Sequence, residues 1–243
     1  MTLLAAREAV TIPARFCGPP ESGNGGYTCG LLAKALPQAD AVECTIRKPI
    51  PLDRKLQVDA AENHAKLLDG EEVVIEAVAT DLELSLPDAI SWAEAQEAVK
   101  RSPAFHNHPF PTCFVCGPER SEHDGLRLFP GLVSDRGGYE NMFAAAWVPA
   151  KEFADDAGKV REEFVWAAMD CPTGFAAGFP WAGTLVTGRL AVEQTAEVFP
   201  QQRYVIMSWP TGNEGRKFHA GAALFNANGE LCAKARATWI KLG

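Results

Sequence analysis

The feature that most limits the possible folds of this chain is a helix-forming segment that is apolar around most of its circumference. The segment spans residues 162–178 (EEFVWAAMDCPTGFAAG), and its charged side chains are confined to the first two positions and Asp170. A helix with so little polar surface has to be buried on several sides. Wrapping by a curved antiparallel sheet is the simplest way to bury it, so we predict an α+β fold of this kind.

The chain repeats this arrangement. A second mainly apolar helix is predicted over residues 27–36 (YTCGLLAKAL), between the turn-forming segment 22–26 (SGNGG) and Pro37. Strand-like segments follow each helix, and the last strand of each set comes after a two-residue turn, DG at 69–70 or NG at 228–229. The shared order indicates a duplication of one helix-and-sheet unit.

The two predicted units meet where the composition changes. Residues 101–113 (RSPAFHNHPFPTC) contain three prolines and two histidines, and proline stops helices and favours extended chain. A helical pattern over residues 87–101 ends the first unit, so we place the units at residues 1–104 and 105–243. The predicted strands lie at residues 41–48, 55–61 and 73–80 in the first unit and at 126–133, 139–148, 184–195, 203–209, 217–226 and 230–240 in the second.

Charge and composition exclude several classes of function. The 243-residue chain has a formal net charge of −8 and no run of Lys and Arg longer than two residues. Binding to nucleic acid or to an anionic membrane surface is therefore not expected. The opening MTLLAAREAVTIPARF lacks a signal-peptide pattern, and no stretch is apolar over the length of a membrane span. We expect a cytoplasmic protein whose seven cysteines are reduced thiols.

Three segments resemble the hotdog-fold thioesterase superfamily, in particular its phenylacetyl-CoA-thioesterase-like members. Residues 113–129 (CFVCGPERSEHDGLRLF) resemble the motif C-F-x-C-G-x-x-N-x-x-G-L-x-L-x-F, although the Asn is displaced and the part before Gly125 is longer. The NGG at residues 24–26 resembles the family's His-Gly-Gly at the start of the central helix, with Asn in place of His. The WAAMD at residues 166–170 resembles the small apolar residues and Asp that carry the catalytic acid.

The resemblance implies a fold, a substrate and an assembly. It implies two tandem hotdog folds, each an antiparallel sheet wrapping a central helix, packed together as a pseudo-dimer over most of the chain. It also implies an acyl-CoA substrate, with coenzyme A present as part of the substrate and no separate cofactor. A homodimer of the whole chain is the assembly that we expect.

The spacing of the family motif shows why such a site needs two units. In the family the acid lies nine residues after the His, and nine helical residues rise about 13.5 Å and turn through about 900°. The two groups therefore point to opposite faces of one helix and cannot act together within it. The resemblance implies a site between two hotdog units, with the helix start from one and the acid from the other.

Applied to this chain, the same spacing predicts one complete site and one incomplete site. Ala33 lies nine residues after Asn24, so the first helix has the glycine turn but no acid. Arg161 lies nine residues before Asp170 and is followed by Glu162, so the second helix has the acid but no glycine turn. We therefore predict that the first helix start and Asp170 form a composite site. The other combination, Arg161 and Glu162 with Ala33, is predicted to be inactive.

Hydrolysis of a thioester needs a group that polarises the carbonyl and a carboxylate. Gly25 and Gly26 lack Cβ atoms and sit where the unpaired N–H groups of a helix begin, which suits a developing oxyanion. Asn24 can cap the helix and contact the substrate through its amide. Asp170 can attack the carbonyl or activate a water. Thr173, one turn later, can hold that water or orient the carboxylate.

Other interpretations of these residues stay open. The SGNGG segment can be no more than a turn and a helix cap, and Asp170 can cap a helix that Pro172 breaks. A non-catalytic acyl-CoA-binding or regulatory hotdog protein is the main alternative function. A hotdog hydratase acting on enoyl-CoA is disfavoured, because its dyad would need a His shortly after Asp170 and residues 171–180 contain none.

A zinc site is an alternative for the segment between the units. His106, His108, Cys113 and Cys116 have the residue types and spacings of zinc ligands. The Cys pair also belongs to the family-like opening motif, and the prolines around it suit a linker. We therefore favour a metal-free linker, with a structural zinc site as the open alternative.

Overall fold

The backbone is organised around one antiparallel sheet of 11 strands, in a computed structural model that describes residues 8–179 and 181–243. Residues 1–7 lie outside the described residues. They belong to the opening sequence in which we found no signal-peptide pattern. The α-helices are α1 (Gly25–Ala33), α2 (Trp92–Val99) and α3 (Glu162–Ala177). The strands are β1 (Glu8–Thr11), β2 (Ala41–Ile46), β3 (Lys55–Ala60), β4 (His64–Asp69), β5 (Glu72–Thr80), β6 (Gly131–Leu132), β7 (Phe143–Trp147), β8 (Leu185–Gln194), β9 (Tyr204–Glu214), β10 (Lys217–Asn226) and β11 (Leu231–Lys241).

The strand order is the same on both sides of a central pair, β2 and β8. Moving outward from β2, the order is β5, β4, β3 and β1; moving outward from β8, it is β11, β10, β9 and β7, with the short β6 at the edge. Each side therefore starts with the strand that follows its helix and ends with strands that precede it. The central pair is antiparallel, with Ala41 opposite Glu193 and Thr45 opposite Arg189.

The two long helices are buried together beneath this sheet, as the sequence predicts. Every residue of α3 from Glu163 to Ala177 is buried, and α3 packs against strands β7 to β11. The helix backbones meet at two glycines of α1, one turn apart. A Cβ on Gly26 would lie 2.5 Å from the Cβ of Asp170, and one on Gly30 would lie 2.6 Å from the Cα of Glu163.

Most predicted elements are present, including the helix over residues 162–178, with two differences. The sequence prediction missed β1 and β4. The strand predicted at residues 126–133 is wrong except for β6: Leu126 and Leu128 are buried, but Arg127 between them has φ of 52° and interrupts the extended chain. Pro172 does not end α3, which continues to Ala177. The interpretation of Asp170 as a cap at a helix break is therefore wrong.

Helix α2, which lies between the two halves of the sheet in the chain, packs against strands β6, β7 and β9 of the second half. Helix α2 lies within the predicted helical range 87–101, and its Ala95 belongs to a cluster with Ala144, Met207 and Trp209. This cluster is separate from the core that contains α1 and α3. Among the described residues, no helix is both long enough and apolar enough to cross a lipid bilayer.

Candidate functional site

The start of α1 is held by Asn24. Its side-chain Oδ1 accepts a hydrogen bond from the N–H of Tyr27 at 2.9 Å, and its carbonyl accepts from the N–H of Thr28 at 3.1 Å. Asn24 is therefore a true N-cap, which explains why α1 begins at Gly25, before the predicted position 27. Because Oδ1 faces Tyr27, the amide Nδ2 of Asn24 points the other way, toward α3.

Asp170 meets this helix start from the middle of α3. Its Oδ2 accepts hydrogen bonds from the N–H of Gly26 at 2.8 Å and from the Nδ2 of Asn24 at 3.4 Å. Its Oδ1 accepts a hydrogen bond from the hydroxyl of Thr187, on β8, at 2.8 Å. The structure thus brings Asp170 of α3 to Asn24 and Gly26 at the start of α1, although more than 140 residues separate Asp170 from either of them in the chain.

The surroundings of Asp170 have opposing effects on the pKa of its carboxyl group. The residue is 1% exposed, and this burial raises the pKa of the carboxyl to about 7. The hydrogen bonds from Gly26 and Thr187 act the other way, because they stabilise the ionised form. The positive end of the α1 dipole also favours a carboxylate at this position.

A cavity of about 580 Å³ adjoins this carboxylate. Gly25 and Asp170 contribute to its wall, and exposed Arg47 and Lys48 line it as well. The N–H of Gly25 has no hydrogen-bond acceptor in the part of the chain that the structure describes. The remaining lining is largely apolar and includes Ile46, Ile50, Phe110, Phe175, Phe179, Leu185, Val186, Trp239 and Ile240.

Thr173 lies close to Asp170 but away from its carboxylate. Its hydroxyl donates to the backbone carbonyl of Asp170 at 2.6 Å and accepts from the Nε1 of Trp239 at 2.8 Å. The hydroxyl that contacts the carboxylate belongs to Thr187, which was not expected from the sequence. It lies within a predicted strand and in no motif, so only the tertiary structure reveals this contact.

The cysteines of the family-like motif lie beside the same cavity. The Sγ atoms of Cys113, Cys116 and Cys171 are all within 4.8 Å of one another. The His108 Nε2 lies 3.3 Å from the Cys116 Sγ, whereas His106 is exposed. Hydrogen bonds from Cys116 and Cys171 hold the pKa of the Cys113 thiol well below its usual value. Cys171 was not among the expected ligands, although it directly follows Asp170 in the sequence.

The predicted inactive combination is found at a separate hollow. Ala33, Arg161 and Glu162 all line a space on the side of the helix pair where α3 begins. Arg161 is the residue before the first turn of α3, and its side chain makes no capping hydrogen bond. Burial raises the pKa of the Glu162 carboxyl above its ordinary value.

Comparison with known proteins finds similarity in structure rather than in sequence. No protein-family model matches the chain, and no curated protein matches it. A tesB protein of Mycobacterium avium subsp. paratuberculosis has a TM-score of 0.66 and 11% identity, over 98% of this chain and 93% of that one. The acyl-CoA thioesterase II TesB2 of Mycobacterium marinum has a TM-score of 0.62 and 10% identity, over 100% and 95%.

A third structure carries the name of the fold. It is a conserved protein of unknown function with a hot dog fold from Alicyclobacillus acidocaldarius, with a TM-score of 0.57 and 11% identity, over 100% of this chain and 95% of that one. Identities this low establish the fold alone. The comparisons therefore confirm the hotdog fold that the sequence resemblance implied.

Proposed function

We propose that this chain, which has a hot dog fold, is an acyl-CoA thioesterase with one active site, formed by the start of α1 and Asp170 of α3. One observation carries the proposal. A buried carboxylate accepts a hydrogen bond from the N–H of Gly26, at a helix N-terminus that opens into a largely apolar cavity. A carboxylate next to an unpaired N–H donor is a combination that can catalyse hydrolysis of a thioester.

The roles follow from the contacts. Gly25 lines the cavity, and in this proposal its free N–H donates to the thioester carbonyl oxygen, with the helix dipole stabilising the developing negative charge. Asp170 supplies the carboxylate, either as the nucleophile or as the base that takes a proton from water. Asn24 and Thr187 hold that carboxylate in place. If Asp170 is the base, the water oxygen bonds to the carbonyl carbon, the carbon–sulfur bond breaks, and the thiolate takes the proton that Asp170 removed from the water. If Asp170 is the nucleophile, its oxygen bonds to the carbonyl carbon as the carbon–sulfur bond breaks, and the thiolate takes a proton from solvent. Water then cleaves the resulting mixed anhydride, which releases the acid and restores the carboxylate.

The walls of the cavity support acyl-CoA as the substrate. The apolar lining suits an acyl chain, and a cavity of about 580 Å³ lies in the usual range for small-molecule sites. Arg47 and Lys48 are exposed cations that also line it. Both form ion pairs with carboxylates on β5, at 2.6 Å with Glu76 and 2.5 Å with Glu72, and the phosphates of coenzyme A can exchange with those partners.

The repeated strand order supports a tandem arrangement of two hotdog units, at residues 1–104 and 105–243, packed as a pseudo-dimer. In each unit four strands follow the helix, and they are arranged alike about the β2–β8 pair; one strand, β1, precedes the helix in the first unit, and two, β6 and β7, precede it in the second. The site then lies between the units, as the motif spacing predicts. The roles given above to Asn24, Gly25, Gly26 and Asp170 depend on this arrangement.

Thiol release from a panel of short, medium, long and aromatic acyl-CoAs, by wild type and Asp170→Asn, tests the proposal. Asn keeps an acceptor for the N–H of Gly26 and can donate to the hydroxyl of Thr187, so the variant should fold normally. We expect release by wild type and a loss of about 100-fold or more in kcat for the variant. Equal rates for the two proteins would overturn the proposal.

The same panel separates the alternative functions. Acyl-CoA binding without thiol release by either protein would favour a non-catalytic binding protein. Hydration of an enoyl-CoA would favour a hydratase, but the described residues that line the cavity include no histidine.

The variant Thr173→Val tests whether Thr173 has a catalytic role. No change in kcat would exclude that role and leave Thr173 only its contacts with α3 and Trp239.

A further inference from the structure

Three thiols form a cluster that the proposed hydrolysis does not use. Cys113 and Cys116 come from the family-like motif at residues 113–129, whereas Cys171 belongs to α3. The Sγ atoms of Cys113 and Cys171 are 3.7 Å apart, and all three Sγ atoms lie within 4.8 Å of one another. All three side chains are buried, yet all three also line the cavity.

We propose that Cys113, Cys116 and Cys171 bind a zinc ion through three thiolates. In a tetrahedral zinc site the Zn–S bonds are about 2.3 Å, so neighbouring sulfurs are about 3.8 Å apart. The 3.7 Å between Cys113 and Cys171 already has this value, and the limit of 4.8 Å leaves little movement for Cys116. A site made of thiolates alone selects zinc over hard cations such as Mg²⁺ and Ca²⁺.

His108 acts on this site as a hydrogen-bond donor and not as a ligand. Its Nδ1 accepts a hydrogen bond from the N–H of Phe110 at 3.0 Å, so in the neutral ring the proton is on Nε2. That N–H points at the Sγ of Cys116, 3.3 Å away. Three thiolates outweigh the charge of Zn²⁺ by one, and N–H donors to sulfur stabilise this excess.

A second donor reaches the other two sulfurs. The Nδ2 of Asn24 lies 4.0 Å from the Sγ of Cys113 and 3.9 Å from the Sγ of Cys171. With three protein ligands, the fourth position of the metal faces the cavity that all three cysteines line. An open fourth position occupied by water is the arrangement of zinc sites that are accessible to ligands.

Metal uptake by the full chain tests the proposal without an activity assay. Protein treated with a chelator under a thiol reductant is dialysed and then titrated with Zn²⁺, and bound zinc is measured by mass spectrometry. The same protein is titrated with Co²⁺, whose absorption spectrum reports thiolate ligands and tetrahedral geometry. We expect one equivalent of either metal and a cobalt spectrum typical of three thiolates. Substoichiometric uptake of both metals by the reduced wild type would overturn the proposal.

Cysteine variants assign the ligands. Cys113→Ser and Cys171→Ser should each lose stoichiometric uptake, whereas Cys232→Ser, which changes a thiol that is equally buried on β11, should retain it. If a ligand variant does not fold, the cobalt spectrum of the wild type decides, because a spectrum without thiolate bands excludes these ligands. Equal uptake by folded Cys171→Ser and wild type would overturn the site.

His108→Ala tests the coordination number. We expect it to keep one equivalent of zinc with an affinity lower by about 10- to 100-fold, as for other groups that hydrogen-bond to a metal ligand. Complete loss of stoichiometric binding in a folded variant would show that His108 is itself a ligand. That result would overturn the proposal that the fourth coordination position of the zinc ion is open.

Discussion

The starts of α1 and α3 hold equivalent places in the topology but differ in what surrounds them. At α1, Asn24 caps the first turn, and the N–H of Gly26 donates to Asp170 of the opposite helix. At α3, Arg161 precedes the first turn without a capping hydrogen bond, and the residues that follow are Glu162 and Glu163. These two carboxylates satisfy the α3 dipole from within the helix itself, whereas α1 receives its negative charge from its partner helix.

The space beside each helix start is similar in size but different in chemistry. The hollow at α1 is about 580 Å³ and the one at α3 about 570 Å³. Ionisable side chains make up much of the second lining, and buried Glu163 pairs with Lys34 at 2.5 Å. The comparison shows that volume does not distinguish the two sites. What distinguishes them is the pair of glycines at one helix start and the acid that faces it. The charged lining of the second hollow comes from Lys34, Asp40, Asp155, Arg161 and Glu162.

Moving the acid to the other site gives the strongest test of this difference. Ala33 is the position in α1 that corresponds to Asp170 by the nine-residue spacing. We expect Ala33→Asp, added to Asp170→Asn, to leave thiol release about 100-fold or more below wild type, because α3 offers no glycine N–H to a substrate. Asp170→Asn alone is the control. Recovery to near wild-type rates, with folding checked by thermal unfolding, would show that the two helix starts are interchangeable.

Two glycines of α1, Gly26 and Gly30, should not tolerate even a methyl side chain, because they lie against the backbone of α3. A Cβ on Gly26 would lie 2.7 Å from the carbonyl oxygen of Trp166, so Gly26→Ala must push the helices apart. We expect a loss of about 1–3 kcal/mol in the free energy of unfolding, measured with urea, and a parallel loss of activity. Gly30→Ala repeats the test one turn away, against the backbone at Glu163. Unchanged stability in both variants would mean that the helices are not in backbone contact.

Sequence reasoning succeeded where a segment carries its own signal. The wrapped helix α3 was predictable because its residues are apolar on all sides, and the turns at residues 69–70 and 228–229 marked the strands after them. Strand β4 has no β-branched residue, and its register shifts between Leu67 and Leu68, so its alternation is broken. The alternation at Leu126 and Leu128 reflects burial of an irregular loop, which has the same pattern as a strand.

The candidate site was predictable only in part, for a related reason. The pairing of the α1 start with Asp170 followed from the family resemblance and from helix geometry. Thr187 and Cys171 contribute through tertiary contacts, between elements whose relative position no local pattern encodes. His106 matched the spacing of a zinc ligand as well as His108 does, but it is exposed and His108 faces Cys116.

Thr187 provides a smaller test of how the α1 site holds its acid. Thr187→Val removes the hydroxyl that donates to the Oδ1 of Asp170 but keeps the shape of the side chain. A hydrogen bond to a charged group contributes about 1.5–3 kcal/mol, so we expect kcat to fall by about tenfold or more. The control is Thr238→Val on β11, where the hydroxyl contacts His219 instead. A similar small effect in both variants would remove Thr187 from the site.

Removing a cation from the lining of either hollow should give the smallest change in activity. Lys48 lines the α1 hollow and is exposed, so its contact with a phosphate is screened by solvent and salt. We expect Lys48→Ala to raise KM for acyl-CoA by about two- to fivefold at low salt without changing kcat. The effect should disappear at high salt and with an acyl-pantetheine substrate, which lacks the nucleotide phosphates.

Arg161→Ala, which removes a cation from the α3 hollow, should leave KM unchanged. If Arg161→Ala raised KM as much as Lys48→Ala, the two hollows would share the substrate, and the assignment of a single active site to the α1 start would be wrong.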